Sequence, residues 1–128
     1  METLKVLVVE DETLIRAVLQ EALEDAGYSA RFADSAAQAF DALEDQDETF
    51  AAVLTDIRLT GGGTGWDVAR RARELNPSMP VVYLTGDSAG DWASLGVPNS
   101  ILVTKPFALA QITTAISHLL NVDSSPPT

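Results

Sequence analysis

The chain contains no cysteine, which removes a disulfide framework, a thiolate zinc site and a thiol nucleophile from consideration. Histidine occurs once, at His118, so no pair of imidazoles exists to build a metal centre. Positive charge is scarce: 8 lysines and arginines stand against 19 acidic residues, for a net charge of −11. Coulomb repulsion at that balance argues against nucleic acid or an anionic membrane as a direct partner. No segment approaches the roughly 20 apolar residues of a membrane span, and the N-terminus has no basic patch ahead of a long apolar run. A cytoplasmic setting fits these absences. Phosphate-cradling motifs are missing too. The glycines at 61, 62, 63 and 65 do not complete GxGxxG, because Trp66 and Val68 follow them, and there is no P-loop signature.

What is present suits one globular domain. The 128 residues are 46% hydrophobic and 21% charged, enough for a single core and too few for two ordinary domains. Apolar runs at 4–9, 51–56, 80–84 and 101–103 read as strands covered on both faces, and 28–33 as a weaker strand nearer an edge. Between them the period changes. Leu14, Ile15, Val18, Leu19, Ala22, Leu23 and Ala26 form one helical stripe closed by Gly27. Ser35 with Gln38 resembles a capping box ahead of Ala36, Ala39, Phe40 and Leu43. Thr64 and Asp67 cap a third helix whose inner face is Trp66, Ala69, Ala72 and Leu75, stopped by Asn76 and Pro77. Gly90 and Gly96 leave room only for a short helix at 91–95, and Trp92 within it is a candidate for an exposed contact. Leu109, Ile112, Ile116, Leu119 and Leu120 mark the last helix, with His118 off its apolar stripe. The domain is expected to span 1–121, followed by a flexible Ser/Pro-rich tail at 122–128. Strands alternating with helices imply a parallel sheet with helices on both faces.

The polar ends of these strands carry the functional signal. Glu10 and Asp11 follow the first strand, Asp56 ends the third, Thr85 ends the fourth and Lys105 follows the fifth. In an open α/β sheet these ends share one edge, where ligands bind. Each has an ordinary explanation alone: a solvated helix start, a turn residue, a β-former, a surface lysine. Together they converge. Two like charges about 4 Å apart repel by roughly 4 kcal/mol at an effective dielectric near 20, so three carboxylates call for a counter-ion. Hard oxygen ligands with room for water suit Mg2+. Asp11 and Asp56 would hold it directly and Glu10 through water, with Lys105 and Thr85 on the oxygens of a phosphoryl group and Asp56 as the nucleophile.

On these residues the chain resembles the receiver domain of bacterial two-component response regulators over roughly 4–120. The acidic pair Glu10 and Asp11, the acceptor Asp56, the hydroxyl of Thr85 and the triplet Lys105, Pro106, Phe107 occur in family order. The resemblance implies a flavodoxin-like five-stranded parallel sheet of order 2-1-3-4-5 with helices on both faces. It also implies Mg2+, the backbone carbonyl of Arg58 as a further metal ligand, a cis bond before Pro106, and phosphoryl uptake from a sensor histidine kinase or histidine phosphotransfer protein. The family pattern is broken at Leu102, where many members carry an aromatic. The 59–65 loop is glycine-rich and the fourth helix short.

The expected protein is thus a stand-alone phospho-acceptor rather than an enzyme. It would signal to an unknown downstream protein by switching protein contacts, without nucleic acid or membrane, as a monomer or weak dimer. Alternatives are a phosphorylation-independent adaptor and a receiver excised from a hybrid kinase, against which the initial Met argues mildly. An enzyme of the haloacid dehalogenase type, which also phosphorylates an aspartate, is disfavoured, because its second aspartate would stand where Arg58 is. Arg58 and Asp87, each two residues beyond a site residue, are expected to pair across the site and slow attack by water.

Overall fold

The computed structural model describes residues 3–87 and 89–124, the last three as backbone only. Five strands form one sheet: β1 Leu4–Val9, β2 Tyr28–Ala33, β3 Ala52–Asp56, β4 Val81–Thr85 and β5 Ile101–Thr104. All are parallel, in the order β2-β1-β3-β4-β5. The helices between them are α1 Thr13–Asp25, α2 Ala36–Glu44, α3 Gly65–Leu75, α4 Trp92–Leu95 and α5 Leu109–Ser124. This is the flavodoxin-like arrangement that the resemblance implied.

Alternation along each strand divides the core in two. Leu7, Val9, Val53, Val81 and Tyr83 face α2 and α3, where Ala36, Ala39, Trp66, Ala69 and Ala72 meet them. Val6, Val8, Leu54, Val82 and Leu84 face α1 and α5, against Leu19, Leu23, Ile112 and Ile116. Val6 to Val9 are all fully buried, which is why β1 reads as an unbroken apolar run. Trp66 belongs to this core and tilts against Tyr83 at 4.7 Å between ring centroids, whereas His118 is exposed.

The caps work as their residue types suggest. Ser35 Oγ accepts from the Gln38 N–H at 3.2 Å, while the Gln38 amide oxygen accepts from the Asp34 N–H, one residue short of the cap itself. Thr64 and Asp67 complete a full capping box on α3. Three helical stripes are narrower than expected. Leu14 is 83% exposed and Val18 44%, because α1 packs on the sheet through Leu19 and Leu23, its buried residues, and positions 14 and 18 lie outside that contact. Leu75 is 46% exposed because it is the last residue of α3. Leu109, the first residue of α5, is likewise half-exposed.

The segment before β5 holds a 3-10 turn at Ala89–Asp91 and only four α-helical residues. Side-chain hydrogen bonds fix it instead: Trp92 Nε1 donates to Ser100 Oγ at 3.0 Å, and the Val97 N–H donates to the buried Tyr83 hydroxyl at 3.1 Å. The Trp92 ring remains partly exposed. α5 continues three residues past the boundary expected at 121, and 125–128 lie outside the described residues.

Candidate functional site

Parallel pairing sets the strand ends side by side. Val9 is in register with Thr55, Asp56 with Leu84, and Thr85 with Thr104. Glu10 and Asp11 therefore emerge from β1 beside Asp56, Thr85 ends the next strand and Lys105 follows the one after. The reversal of strand order between β1 and β3 opens the crevice that such sheets use for ligands. One carboxylate oxygen each from Glu10, Asp11 and Asp56 lie within 4.8 Å of one another. Lys105 Nζ donates to Asp56 Oδ2 at 2.9 Å and stands 4.0 Å from Glu10 Oε2. The bond between Lys105 and Pro106 is cis. Thr85 is buried, and its hydroxyl oxygen accepts from the Asp87 N–H at 3.2 Å.

Charge is unbalanced inside this pocket. Glu10 is fully buried; its Oε1 accepts from the Glu12 N–H at 3.1 Å, while its Oε2 has no hydrogen-bond partner among the described residues. Desolvation pushes the Glu10 pKa up to about 7, opposed by the Glu12 N–H and by Lys105 and reinforced by the charges of Asp56 and Asp11. Burial alone would lower the Lys105 pKa, but the hydrogen bond and charge of Asp56, with Glu10 and Glu12, raise it. One ammonium facing three carboxylates leaves negative charge over, and the donor set is entirely oxygen. An orphaned buried carboxylate oxygen beside two further carboxylates fits a hard divalent cation.

Arg58 and Asp87 do meet: their side chains form an ion pair of 2.7 Å, largely exposed. The backbone of Arg58 makes an isolated antiparallel bridge with Thr64. In the intervening loop, a Cβ on Gly63 would lie 2.8 Å from that of Ala36, and its φ of +111° favours glycine as well. The family model described as the response regulator receiver domain matches residues 6–117.

The chain belongs to this family.

Receiver domains are signalling modules of response regulators. The chain is 33% identical over 118 residues to the response regulator receiver protein CpdR of Brucella abortus, covering 91% of this chain and 96% of CpdR. It spans about half, 52%, of the transcriptional regulatory protein YkoG of Bacillus subtilis, to which it is 36% identical over 94% of its own length. Among solved structures, a response regulator receiver protein from Sinorhizobium medicae superposes with a TM-score of 0.91 at 42% identity, over 94% of this chain and 96% of that one. In this receiver the expected aromatic of β5 is Leu102, and its register partner on β4 is Tyr83, so an aromatic occupies that level of the sheet one strand over. Two neighbours of Asp56 went unread in the sequence, Thr55 and Gly65. The first looks like any β-branched strand residue and the second like one more glycine in a loop.

Proposed function

We propose that this receiver takes a phosphoryl group onto the Asp56 carboxylate from a phosphohistidine of a kinase or phosphotransfer protein. One observation carries the reading: a buried aspartate at the end of a central strand, held by Lys105 at 2.9 Å, inside a pocket with an orphaned carboxylate oxygen. A carboxylate at a strand end, oriented by a hydrogen bond from a lysine, is placed to act as a nucleophile. An Asp56 oxygen attacks phosphorus, the new P–O bond forms as the P–N bond breaks, and its electron pair returns to the leaving imidazole, which is protonated. Lys105 and the Thr85 hydroxyl offer positive charge and a hydrogen-bond donor to the transferred phosphoryl oxygens.

Glu10, Asp11 and Asp56, with the backbone carbonyl of Arg58, would hold Mg2+. When bound, Mg2+ neutralises charge that builds on the phosphoryl oxygens. The fold supports this choice of ion: the receiver domain of the sensor histidine kinase PA1611 of Pseudomonas aeruginosa has a magnesium ion coordinated in its active site cleft. That domain is similar in fold, at a TM-score of 0.79 and 21% identity over 94% of this chain and 99% of its own. Output would pass through altered contacts with a downstream protein. Incubation with acetyl phosphate and Mg2+ tests the assignment: one phosphoryl group per chain is expected in the wild type and none in Asp56→Asn, and uptake that survives the substitution would defeat it.

A further inference from the structure

Asp56 is the last residue of β3, and the sheet ladder continues past it through the Ile57 N–H, which donates to the Leu84 carbonyl at 3.1 Å. The Asp56 carbonyl has a partner of another kind. Thr55 Oγ1 donates to it at 2.8 Å. Thr55 is fully buried, and Ala52, Val53 and Leu54 before it are buried apolar residues. A hydroxyl in such a place costs free energy unless it is hydrogen-bonded, and valine would fill nearly the same space without that cost. Packing alone therefore favours valine at position 55. The carbonyl is also closely approached by α3. A Cβ on Gly65 would lie 2.2 Å from the Asp56 carbonyl oxygen and 2.9 Å from Ile57 Cα, so the first residue of α3 closes on this peptide only because it has no side chain.

We propose that Thr55 is a positioning residue: its buried hydroxyl, working against the close approach of Gly65, fixes the Asp56 peptide and with it the direction in which the Asp56 carboxylate meets Lys105. The inference rests on the reading of Asp56 as phosphoryl acceptor. Side-chain rotamers follow backbone dihedrals. A carboxylate whose peptide is free to tilt samples directions away from the incoming phosphorus.

Three substitutions and two readouts decide it. Thr55→Val keeps the shape and removes the donor; Thr55→Ser keeps the donor and removes the methyl group. Phosphoryl uptake from acetyl phosphate is expected to slow at least about tenfold in Thr55→Val and to stay within about twofold of wild type in Thr55→Ser. The carbonyl 13C resonance of Asp56, recorded on the metal-free protein, is expected to move in Thr55→Val and to stay in place in Thr55→Ser. Uptake in Thr55→Val equal to wild type, uptake in Thr55→Ser as slow as in Thr55→Val, or an unmoved resonance in Thr55→Val would overturn the proposal. If melting curves show that Thr55→Val does not fold, Thr55→Ala against Thr55→Ser asks the same question, and equal rates in that pair would overturn it. Failure of the wild type itself to take up phosphoryl removes the acceptor reading, and the resonance comparison still decides whether Thr55 holds the peptide.

Discussion

Glu10 sits with one oxygen bonded to the Glu12 N–H and the other 4.0 Å from an ammonium already engaged by Asp56. Its pKa, raised to about 7 from an ordinary 4.5, makes stability depend on pH. The folded protein binds the Glu10 proton more tightly than the unfolded chain, so this contribution is full below about pH 4.5 and is lost as pH rises through 7. The loss is on the order of 3 kcal/mol, at 1.36 kcal/mol per pKa unit. Thermal melts of the metal-free protein at fixed ionic strength are expected to fall between pH 5 and 8, and the same melts with excess Mg2+ to fall less. A metal-free melting temperature rising across that window would contradict the assignment. Asp56, Lys105 and the acidic pair were legible because each stands directly after a strand-like run. The Thr55 hydroxyl was not, because threonine is an ordinary strand residue whose donor becomes meaningful only once its acceptor is located.

Among the elements, the loop after β3 and the turn after β4 are joined at the mouth of the site by Arg58 and Asp87. An ion pair this exposed contributes little to stability, about 0–1 kcal/mol. Its effect is better sought in access. Arg58→Ala is expected to leave the melting temperature nearly unchanged and to speed loss of phosphoryl from Asp56 to water; an unchanged dephosphorylation rate would remove that role. The pairing was foreseeable from opposite charges two residues beyond neighbouring strand ends. The burial of α1 was less so, because periodicity gives the direction of a stripe but not its width. Leu14 and Val18 lie on the flank that the sheet leaves uncovered. Brevity of α4 followed from Gly90 and Gly96, but the bonds from Trp92 to Ser100 and from Val97 to Tyr83 that take over its anchoring join neutral groups with no opposite charges to mark them as partners.

For the whole molecule, alternating strand and helix patterns were enough for a parallel sheet covered on both faces. The order β2-β1-β3-β4-β5 was not contained in that pattern and came only with the family resemblance, since periodicity carries no information on which strands are neighbours. That order creates the site: with β1 and β3 adjacent, two acidic strand ends meet, and with β4 and β5 following, a hydroxyl and an ammonium come alongside. No helix among the described residues is long and apolar enough to cross a membrane. Glu10, Asp11 and Asp56 bring negative charge together in a largely buried pocket, and its balance by Mg2+ is the central physical claim. Calorimetric titration of the protein with magnesium chloride near pH 8 tests it most directly. Saturable uptake of one ion per chain at millimolar concentration or below, lost in Asp11→Asn, is the result expected; no saturable heat, or uptake unchanged by that substitution, would contradict it.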